Sequence, residues 1–220
     1  MVSAVIVAAG KGQRMGVGIN KAYLPLCGKT VIETAVMPFL DCDAIDEIII
    51  VTDDTEKCKL LFGGISKIKA VVLGGDTRKE SVKNGLYAAK GDFVAIHDGA
   101  RSLITKSEIE SVIEEAQKYG AAALGVKCKD TIKVADNCGF IKETLNREFL
   151  YQIQTPQVFA RREILKMHEA SNGDFTDDCS VFESFGKKVK IVTGSYENIK
   201  ITTPFDLEIA EKILEKRRAK

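Results

Sequence analysis

The sequence has almost no net charge and no long apolar segment, and each shortage excludes a class of protein. Its 220 residues carry 32 basic and 31 acidic side chains, so we expect no broad basic surface for nucleic acid. No apolar run approaches the roughly 20 residues that span a bilayer. No basic leader or small-residue cleavage site precedes the first strand-like run, so we expect neither a membrane anchor nor a targeting signal.

Cysteine and histidine are also used sparingly. The six cysteines form no C-x-x-C pair and lie far apart, which argues against a disulfide scaffold or a zinc site and favours reduced thiols in the cytoplasm. The two histidines are His97 and His168. No serine or cysteine is placed to form a catalytic triad with His97, so a hydrolase of that type is not expected. His168 lies in a helical stretch and is interpreted as structural.

Short β-branched runs alternate with helical patterns along the chain. Several of the runs are apolar throughout, which is typical of strands covered on both faces. The alternation predicts an α/β protein with a doubly wound, mostly parallel sheet. The predicted strands are 2–8, 46–52, 68–73, 92–97, 121–126 and 188–193.

Three segments have clear helical signals. Residues 106–119 repeat apolar side chains at helical spacing and are followed by Gly120 as a stop, and residues 80–90 show a similar apolar face. The last helix opens with Thr203 as a cap, Pro204 in the first turn and Asp206 three residues after the cap.

Residues 127–155 interrupt the alternation. They contain two short β-like pieces around a turn at 136–139, with few apolar residues, and we interpret them as a protruding β-hairpin arm. An isolated two-stranded ribbon is marginally stable, so the arm is expected to pack on a second copy of the chain. With no Pro-, Gly- or Ser-rich linker and no repeat, residues 1–220 are expected to form a single domain.

The glycine-rich stretch AAGKGQRMG, residues 8–16, follows the first predicted strand. It fails the dinucleotide pattern G-x-G-x-x-G because Met15 takes the third glycine position, and no register gives a P-loop. Its glycines nevertheless let backbone N–H groups approach a polyanion, and Arg14 and Lys21 follow to neutralise phosphate charge. The alternative is a tight turn with surface cations. Lys11 is the cation that we expect to matter least.

Other predicted strands also end in polar residues. Gly75, Asp76 and Ser81 follow the third strand, and Asp98 follows the fourth. Facing a triphosphate, Asp98 suits a Mg²⁺ ligand, although a capping or turn role is equally compatible with its position. Lys200 stands between apolar neighbours in a strand-like piece and should face either solvent or a site. The segment 176–178 is expected to cap a helix.

Seven motifs occur in an order that resembles the 2-C-methyl-D-erythritol 4-phosphate cytidylyltransferase family over residues 5–210. They are AAGKGQRM…NKAYLPL, GGDTRKESV, HDGAR, KDTIK, QTPQVF, TDDCSVFESFG and NIKITTPFDLEIAE. The resemblance implies a Rossmann-like nucleotidyltransferase fold, CTP and a polyol phosphate as substrates, Mg²⁺ as cofactor, and a homodimer with exchanged arms. Two alternatives stay open: a ribitol-5-phosphate or other polyol-phosphate cytidylyltransferase, and a nucleotide-binding regulatory protein without catalysis.

The resemblance also implies roles for individual residues. Arg14, Lys21 and Lys200 match catalytic cations, and Asp98 matches an acidic residue near the metal and the ribose. The CTP contacts would come from Ala8, Ala9, Gly10, Gly12, Gly75, Asp76, Ser81 and Asp98. The substrate contacts would come from Arg101, Thr131, Arg147, Thr155 and Thr176, of which Thr131 and Arg147 would serve the neighbouring subunit's site.

Three residues depart from the family's pattern. Asn20 stands where the family often has proline, and Gly99 and Ser102 stand where it often has alanine and proline. A glycine and a lost proline widen the unfolded ensemble, so we expect a looser loop at 99–102 but no lost charge.

Overall fold

A computed structural model describes residues 1–10, 20–173 and 175–219. The strands are Val2–Val7 (β1), Pro25–Leu26 (β2), Lys29–Thr30 (β3), Glu47–Thr52 (β4), Ile68–Leu73 (β5), Phe93–Asp98 (β6), Ala121–Lys127 (β7), Lys133–Ala135 (β8), Ile141–Thr144 (β9), Tyr151–Ala160 (β10) and Lys190–Thr193 (β11). The helices are Val31–Leu40 (α1), Thr55–Phe62 (α2), Arg78–Ala88 (α3), Lys106–Tyr119 (α4), Arg161–Ala170 (α5), Asp178–Ser184 (α6) and Pro204–Arg218 (α7).

Seven of these strands form one central sheet in the order β11-β7-β10-β6-β1-β4-β5. The predicted mostly parallel α/β sheet is confirmed, because β10 alone runs antiparallel to its two neighbours and the other neighbouring pairs are parallel. All six predicted strands are present, with bounds that differ by at most two residues. The long strand β10 was not predicted, because its sequence follows the arm without the turn signals that separate strands.

Helices cover both faces of the sheet, which explains why its central strands are apolar throughout. On β1, Ala4 and Ile6 face the core beneath α1 and α4, whereas Val5 faces the opposite core beneath α3. Neighbouring β4 divides its isoleucines in the same way. Alternate side chains of a strand point to opposite faces, so a strand covered twice needs apolar residues at every position.

The predicted helix boundaries agree closely with the structure. Helix α4 ends at Gly120, which adopts the left-handed conformation at φ 88°. Helix α7 begins after Thr203, whose side chain accepts from the Asp206 backbone N–H in a capping box, with Pro204 in the first turn. At these ends the local sequence alone determines where the helix begins or stops.

The arm is shorter than the segment 127–155 that the sequence predicted. Strands β8 and β9 form an exposed hairpin with Gly139 at φ 86° in its turn. Residues 151–155 instead belong to β10, where Tyr151 pairs with Lys127 of the central sheet. The protruding part therefore lies between the end of β7 and the start of β10.

The six cysteines are free thiols, and Cys42, Cys58 and Cys179 are buried. Within the described ranges, no helix combines the length and the apolar character that crossing a membrane requires.

Candidate active site

The carboxyl ends of the parallel strands β1, β4, β5 and β6 lie at one edge of the sheet, and residues at the ends of β1, β5 and β6 line a cleft there. Register places Val7 beside Asp98, and the Gly99 N–H donates to the Val7 carbonyl at 2.8 Å. The cleft encloses about 540 Å³. Ligands of open α/β sheets bind at such an edge. The lining residues are Val7, Ala8, Ala9, Gly10, Asn20, Lys21, Ala22, Gly75, Asp76, Thr77, Arg78, Ser81, Asp98, Ala100, Lys200 and Thr202.

Nine residues that the sequence assigned to catalysis or CTP binding line this cleft together. They are Ala8, Ala9, Gly10, Lys21, Gly75, Asp76, Ser81, Asp98 and Lys200. Lys200 lies in an irregular loop at 198–202, not in the strand-like piece that its apolar neighbours suggested. Gly12 and Arg14, like Lys11, lie outside the described residues, so their predicted roles stay predictions.

Asp98 is the electrostatic centre of the cleft. Its Oδ2 lies 2.7 Å from Lys200 Nζ and its Oδ1 lies 3.4 Å from Arg78 Nε, and its side chain is 11% exposed. Burial acts to raise the pKa of this carboxyl, but Arg78 and then Lys200 outweigh burial and hold the pKa well below its usual range. Asp98 is therefore a carboxylate that pairs with two cations at the cleft wall.

A buried hydrogen-bond chain fixes the backbone of Asp98. The Asp98 N–H donates to Thr155 Oγ1 at 3.0 Å, and the same oxygen lies 3.0 Å from His97 Nδ1. His97 is fully buried, which lowers its pKa to about 4, so the ring is neutral at pH 7. Because a carbonyl oxygen can only accept, Nε2 carries the proton and donates to the Arg101 carbonyl at 3.1 Å, and Nδ1 accepts from the Thr155 hydroxyl. His97 is thus a structural acceptor and donor, not part of a triad.

Ser81 shapes the loop that follows β5. Its Oγ accepts from the Gly75 N–H at 3.1 Å and donates to the Thr77 carbonyl at 3.0 Å. Gly74 lies so close to the first loop that a Cβ at this position would lie 2.2 Å from Ala9 Cβ. The two glycine-containing loops can therefore approach each other only because Gly74 has no side chain.

Two of the three residues that depart from the family's pattern, Asn20 and Gly99, have a visible local role in the structure. Asn20 donates to the Ala8 carbonyl at 2.8 Å and accepts from the Ala22 N–H at 2.9 Å, so it joins the end of β1 to the turn that carries Lys21. Gly99 is buried, and a Cβ there would lie 3.0 Å from Ala8 Cβ. Ser102 is buried with a hydroxyl that has no partner among the described atoms, and nothing in the structure explains it.

Five residues assigned to the second substrate do not line the cleft. Thr155 is 4% exposed and its hydroxyl is used internally, and Arg101 donates to the Asn198 carbonyl at 2.7 Å. Burial lowers the pKa of the Arg101 guanidinium, against the opposing effect of Asp98. Thr131 and Arg147 lie exposed on the arm, and Thr176 is exposed before α6. Within one chain, Thr155 and Arg101 both contact His97, whereas Thr131 and Arg147 lie on the arm.

Sequence reasoning missed Arg78 and Asp178. Arg78 Nη2 donates to Asp178 Oδ2 at 2.8 Å, and Asp178 is fully buried. Its Oδ1 lies 3.0 Å from His168 Nε2, so His168 has the structural role that was expected of it. Burial acts to raise the pKa of Asp178, but Arg78 and His168 lower it below the ordinary value. The signal was a cation in the first helical turn after a strand's carboxyl end.

A parallel sheet whose strand ends present glycine-containing loops, two lysines and an arginine to one cleft is the arrangement of an α/β nucleotidyltransferase. The sequence model of the 2-C-methyl-D-erythritol 4-phosphate cytidylyltransferase (IspD) family matches residues 2–216. The chain belongs to this family.

Named relatives are similar over nearly their whole length. The 2-C-methyl-D-erythritol 4-phosphate cytidylyltransferase of Clostridium botulinum is 46% identical over 97% of this chain and 99% of its own, and that of Caldanaerobacter subterraneus is 48% identical over 98% and 99%. A crystal structure of 4-diphosphocytidyl-2C-methyl-D-erythritol synthase from Anaerococcus prevotii superposes with a TM-score of 0.88 at 35% identity, covering 98% of this chain and 96% of that one.

Proposed function

We propose that the cleft joins CTP to 2-C-methyl-D-erythritol 4-phosphate, giving 4-diphosphocytidyl-2-C-methyl-D-erythritol and pyrophosphate, a step of nonmevalonate isoprenoid precursor synthesis. Family membership supports the reaction and both substrates. The main structural support is that nine residues, assigned to catalysis or CTP binding from the sequence, line one cleft. The comparisons favour methylerythritol phosphate over ribitol phosphate as the second substrate.

The chemistry needs charge stabilisation more than proton transfer. A phosphate oxygen of the polyol phosphate attacks the α-phosphorus of CTP in line, one P–O bond forms, and the bond to the β-phosphate oxygen breaks. The attacking oxygen is already an anion, so no general base or covalent intermediate is required. Catalysis then rests on positioning and on cations that meet the charge building on the phosphate oxygens.

Three cations are proposed for that role. Lys21 and Lys200 both line the cleft, from different segments of the chain, and Arg14 is assigned by the family motif. Lys200 is held by Asp98 at 2.7 Å, so its ammonium group is in place before a substrate binds. Such preorganised cations stabilise developing charge without reorganising during the reaction.

Asp98 is the proposed ligand for a divalent cation. In the described ranges, no group of three or more His, Cys, Asp or Glu could hold a metal ion. A single carboxylate on a triphosphate-sized cleft nevertheless fits Mg²⁺, which takes one or two carboxylates together with phosphate oxygens. Bound there with CTP, Mg²⁺ would offset the negative charge of the phosphates.

A decisive experiment offers CTP with either 2-C-methyl-D-erythritol 4-phosphate or ribitol 5-phosphate and measures pyrophosphate release. We expect release with the first polyol phosphate and little with the second. The opposite preference would contradict the proposed substrate, and no release with either would favour a protein that binds nucleotides without turning them over.

Lys21→Ala tests whether that turnover occurs in the cleft. The variant should lose most of its turnover while its unfolding midpoint in urea stays near that of the parent. Lys59→Ala is a matched control, because Lys59 is an exposed lysine that pairs with Glu56 on α2, away from the cleft. Parental turnover in Lys21→Ala would refute the proposed catalytic role.

We further infer that residues 1–220 form one catalytic domain that pairs as a homodimer through the arm. Phe140 and Phe149 are 73% and 78% exposed, and Ile141 between them is 65% exposed. Large apolar side chains that are exposed on one arm favour a covering partner. A second copy would cover them and would bring Thr131 and Arg147 to the neighbouring cleft, which supplies the substrate contacts that one chain lacks.

Mixing two inactive variants tests the shared site. A dimer of Arg147→Ala with Lys21→Ala contains one cleft with an intact Lys21 and an intact arm from its neighbour. Partial activity should therefore return after subunit exchange, whereas each variant alone stays inactive. Failure of rescue, with exchange demonstrated by mass spectrometry, would contradict a cross-subunit site without bearing on the reaction itself.

A further inference from the structure

Arg78 bridges two carboxylates that belong to different parts of the fold. It stands in the first turn of α3, with Nε 3.4 Å from Oδ1 of Asp98 and Nη2 2.8 Å from Oδ2 of Asp178. Asp98 ends β6 at the cleft, whereas Asp178 begins α6. One guanidinium can hold both carboxylates because its donors diverge in a fixed plane, which a lysine ammonium cannot reproduce.

Asp178 is a rigid anchor for this arginine. Its side chain is fully buried, and Oδ1 lies 3.0 Å from His168 Nε2. Its backbone N–H donates to Gln157 Oε1 at 3.0 Å. The preceding residue, Asp177, caps the helix by accepting from the Ser180 N–H, so the two aspartates of the TDD motif have different functions. Helix capping accounts for the role of Asp177, but it does not account for the burial of Asp178.

Two cations and two anions form a continuous chain of ion pairs, in the order Lys200, Asp98, Arg78 and Asp178. The lysine is 37% exposed at the cleft, whereas Asp178 is completely enclosed. An incoming phosphate can therefore attract Lys200 from one side of Asp98, while Arg78 stays pinned between two carboxylates on the other. The chain of ion pairs therefore has one cation with a single carboxylate partner, Lys200, and one cation held between two carboxylates, Arg78.

We propose that Arg78 is a positioning residue for the transfer reaction. It is anchored by Asp178, which His168 contacts in turn. From there it holds Oδ1 of Asp98, so that Oδ2 presents Lys200 to the substrate phosphates. The inference rests on the proposed function, because it assigns Arg78 an effect through Lys200. It also gives the TDD motif a connection to the cleft, through a contact between residues that are 100 positions apart.

The first test is kinetic and uses the full chain with CTP and 2-C-methyl-D-erythritol 4-phosphate. Arg78→Lys keeps the charge but cannot hold both carboxylates, and we expect kcat to fall about 10- to 100-fold, the usual cost of losing a partner that orients a site residue. The KM for CTP should change much less. A KM that rises while kcat is kept would instead make Arg78 a direct CTP ligand and overturn the proposal. Arg217→Lys is the matched control, because Arg217 bridges the Glu197 carboxylate and the Leu103 carbonyl and does not line the cleft.

The second test separates positioning from a purely structural role. Measured in a Lys200→Met background, Arg78→Lys should lower the residual kcat far less than it does in the parent, because residues acting through one group are non-additive. Equal losses in both backgrounds would overturn the proposal. An inactive parent would contradict the proposed function, whereas an active parent with an unaffected Arg78→Lys variant would contradict only this inference.

A charge-balanced double variant keeps the test valid if single variants fail to fold. Arg78→Gln with Asp178→Asn removes one cation and one anion, so no buried charge is left without a partner. We expect this variant to regain a cooperative thermal transition but not the parental kcat. Recovery of both properties would show that the pair serves stability alone.

Discussion

Gly74→Ala is expected to disable the cleft by adding one methyl group. Gly74 follows β5 and donates its N–H to the Thr52 carbonyl at 2.8 Å, so its backbone is fixed to the sheet. A Cβ built on Gly74 lies 2.2 Å from Ala9 Cβ and 3.0 Å from Ser81 Oγ. Ala9 and Gly75 both line the cleft, so relief of this overlap must move the backbone of the cleft wall.

The size of the effect follows from the overlap. Carbon atoms normally approach to about 3.5–4.0 Å, so the two methyl groups must separate by about 1.5 Å. Overpacking of this kind costs about 1–3 kcal/mol of folding free energy. A displacement of about 1 Å in a site costs about 100-fold in rate. We therefore expect kcat/KM to fall about 100-fold, with a modest loss of stability.

The assay is pyrophosphate release over a range of CTP concentrations, with urea unfolding measured in parallel. Gly85→Ala is the matched control, because its Cβ would lie 2.3 Å from Val5 Cγ1 in the core beneath α3. It should lose stability, partly offset by about 1 kcal/mol of helix propensity, and keep kcat/KM. Parental kcat/KM in Gly74→Ala, or equal losses of activity in both variants, would refute the reasoning.

Three further outcomes are expected. Asn20→Ala removes the hydrogen bond to the Ala8 carbonyl and should lower kcat/KM by up to about tenfold. Initial rates of pyrophosphate release measure this change, and an unchanged kcat/KM would contradict the prediction. Thr105→Ala removes the cap of α4 and should cost about 1 kcal/mol in urea unfolding while activity is kept. Folding lowers the pKa of Asp178, so its ionised carboxylate stabilises the folded protein. This contribution to the free energy of unfolding is complete above the ordinary pKa of about 3.9 and is lost as pH falls through the folded value. Asp178→Asn should therefore flatten the acid side of the stability profile, measured by urea midpoints across pH.

Most of the central sheet could be predicted because six of its seven strands have their own local signal. Six apolar runs locate six strands of the central sheet within two residues, and capping or stop residues locate ends of α4 and α7. Strand β10 had no such signal, since Gln152, Gln154 and Gln157 interrupt its apolar pattern. Gln157 contacts α6 by accepting from the backbone N–H groups of Asp178 and Cys179, so its polarity serves tertiary structure. A pattern rule that expects apolar residues misses such a strand.

The cleft was partly predictable, for a reason that lies in topology. Parallel strands end at the same edge of a sheet, so polar residues after β1, β5 and β6 had to meet once the sheet was predicted. Thr155 shows the limit of this reasoning: its place beside the cleft followed from a motif, but its hydroxyl is used between the Asp98 backbone and His97. Whether a hydroxyl faces a ligand or the interior depends on neighbours that spacing does not reveal.

Arg78 shows why a motif residue can hide its function. Within GGDTRKESV it reads as a solvent-facing cation in the first turn of a helix, where a positive charge is not favoured by the helix dipole. That local disadvantage is offset by two carboxylates, one 20 and the other 100 residues away in sequence. A positive charge that is unfavourable at the N-terminus of its own helix needs tertiary contacts to stabilise it. An arginine in the first helical turn beside a cleft therefore predicts buried acidic partners. Arg78 pairs with Asp178, which contacts His168 of α5, and with Asp98, which contacts Lys200 at the cleft.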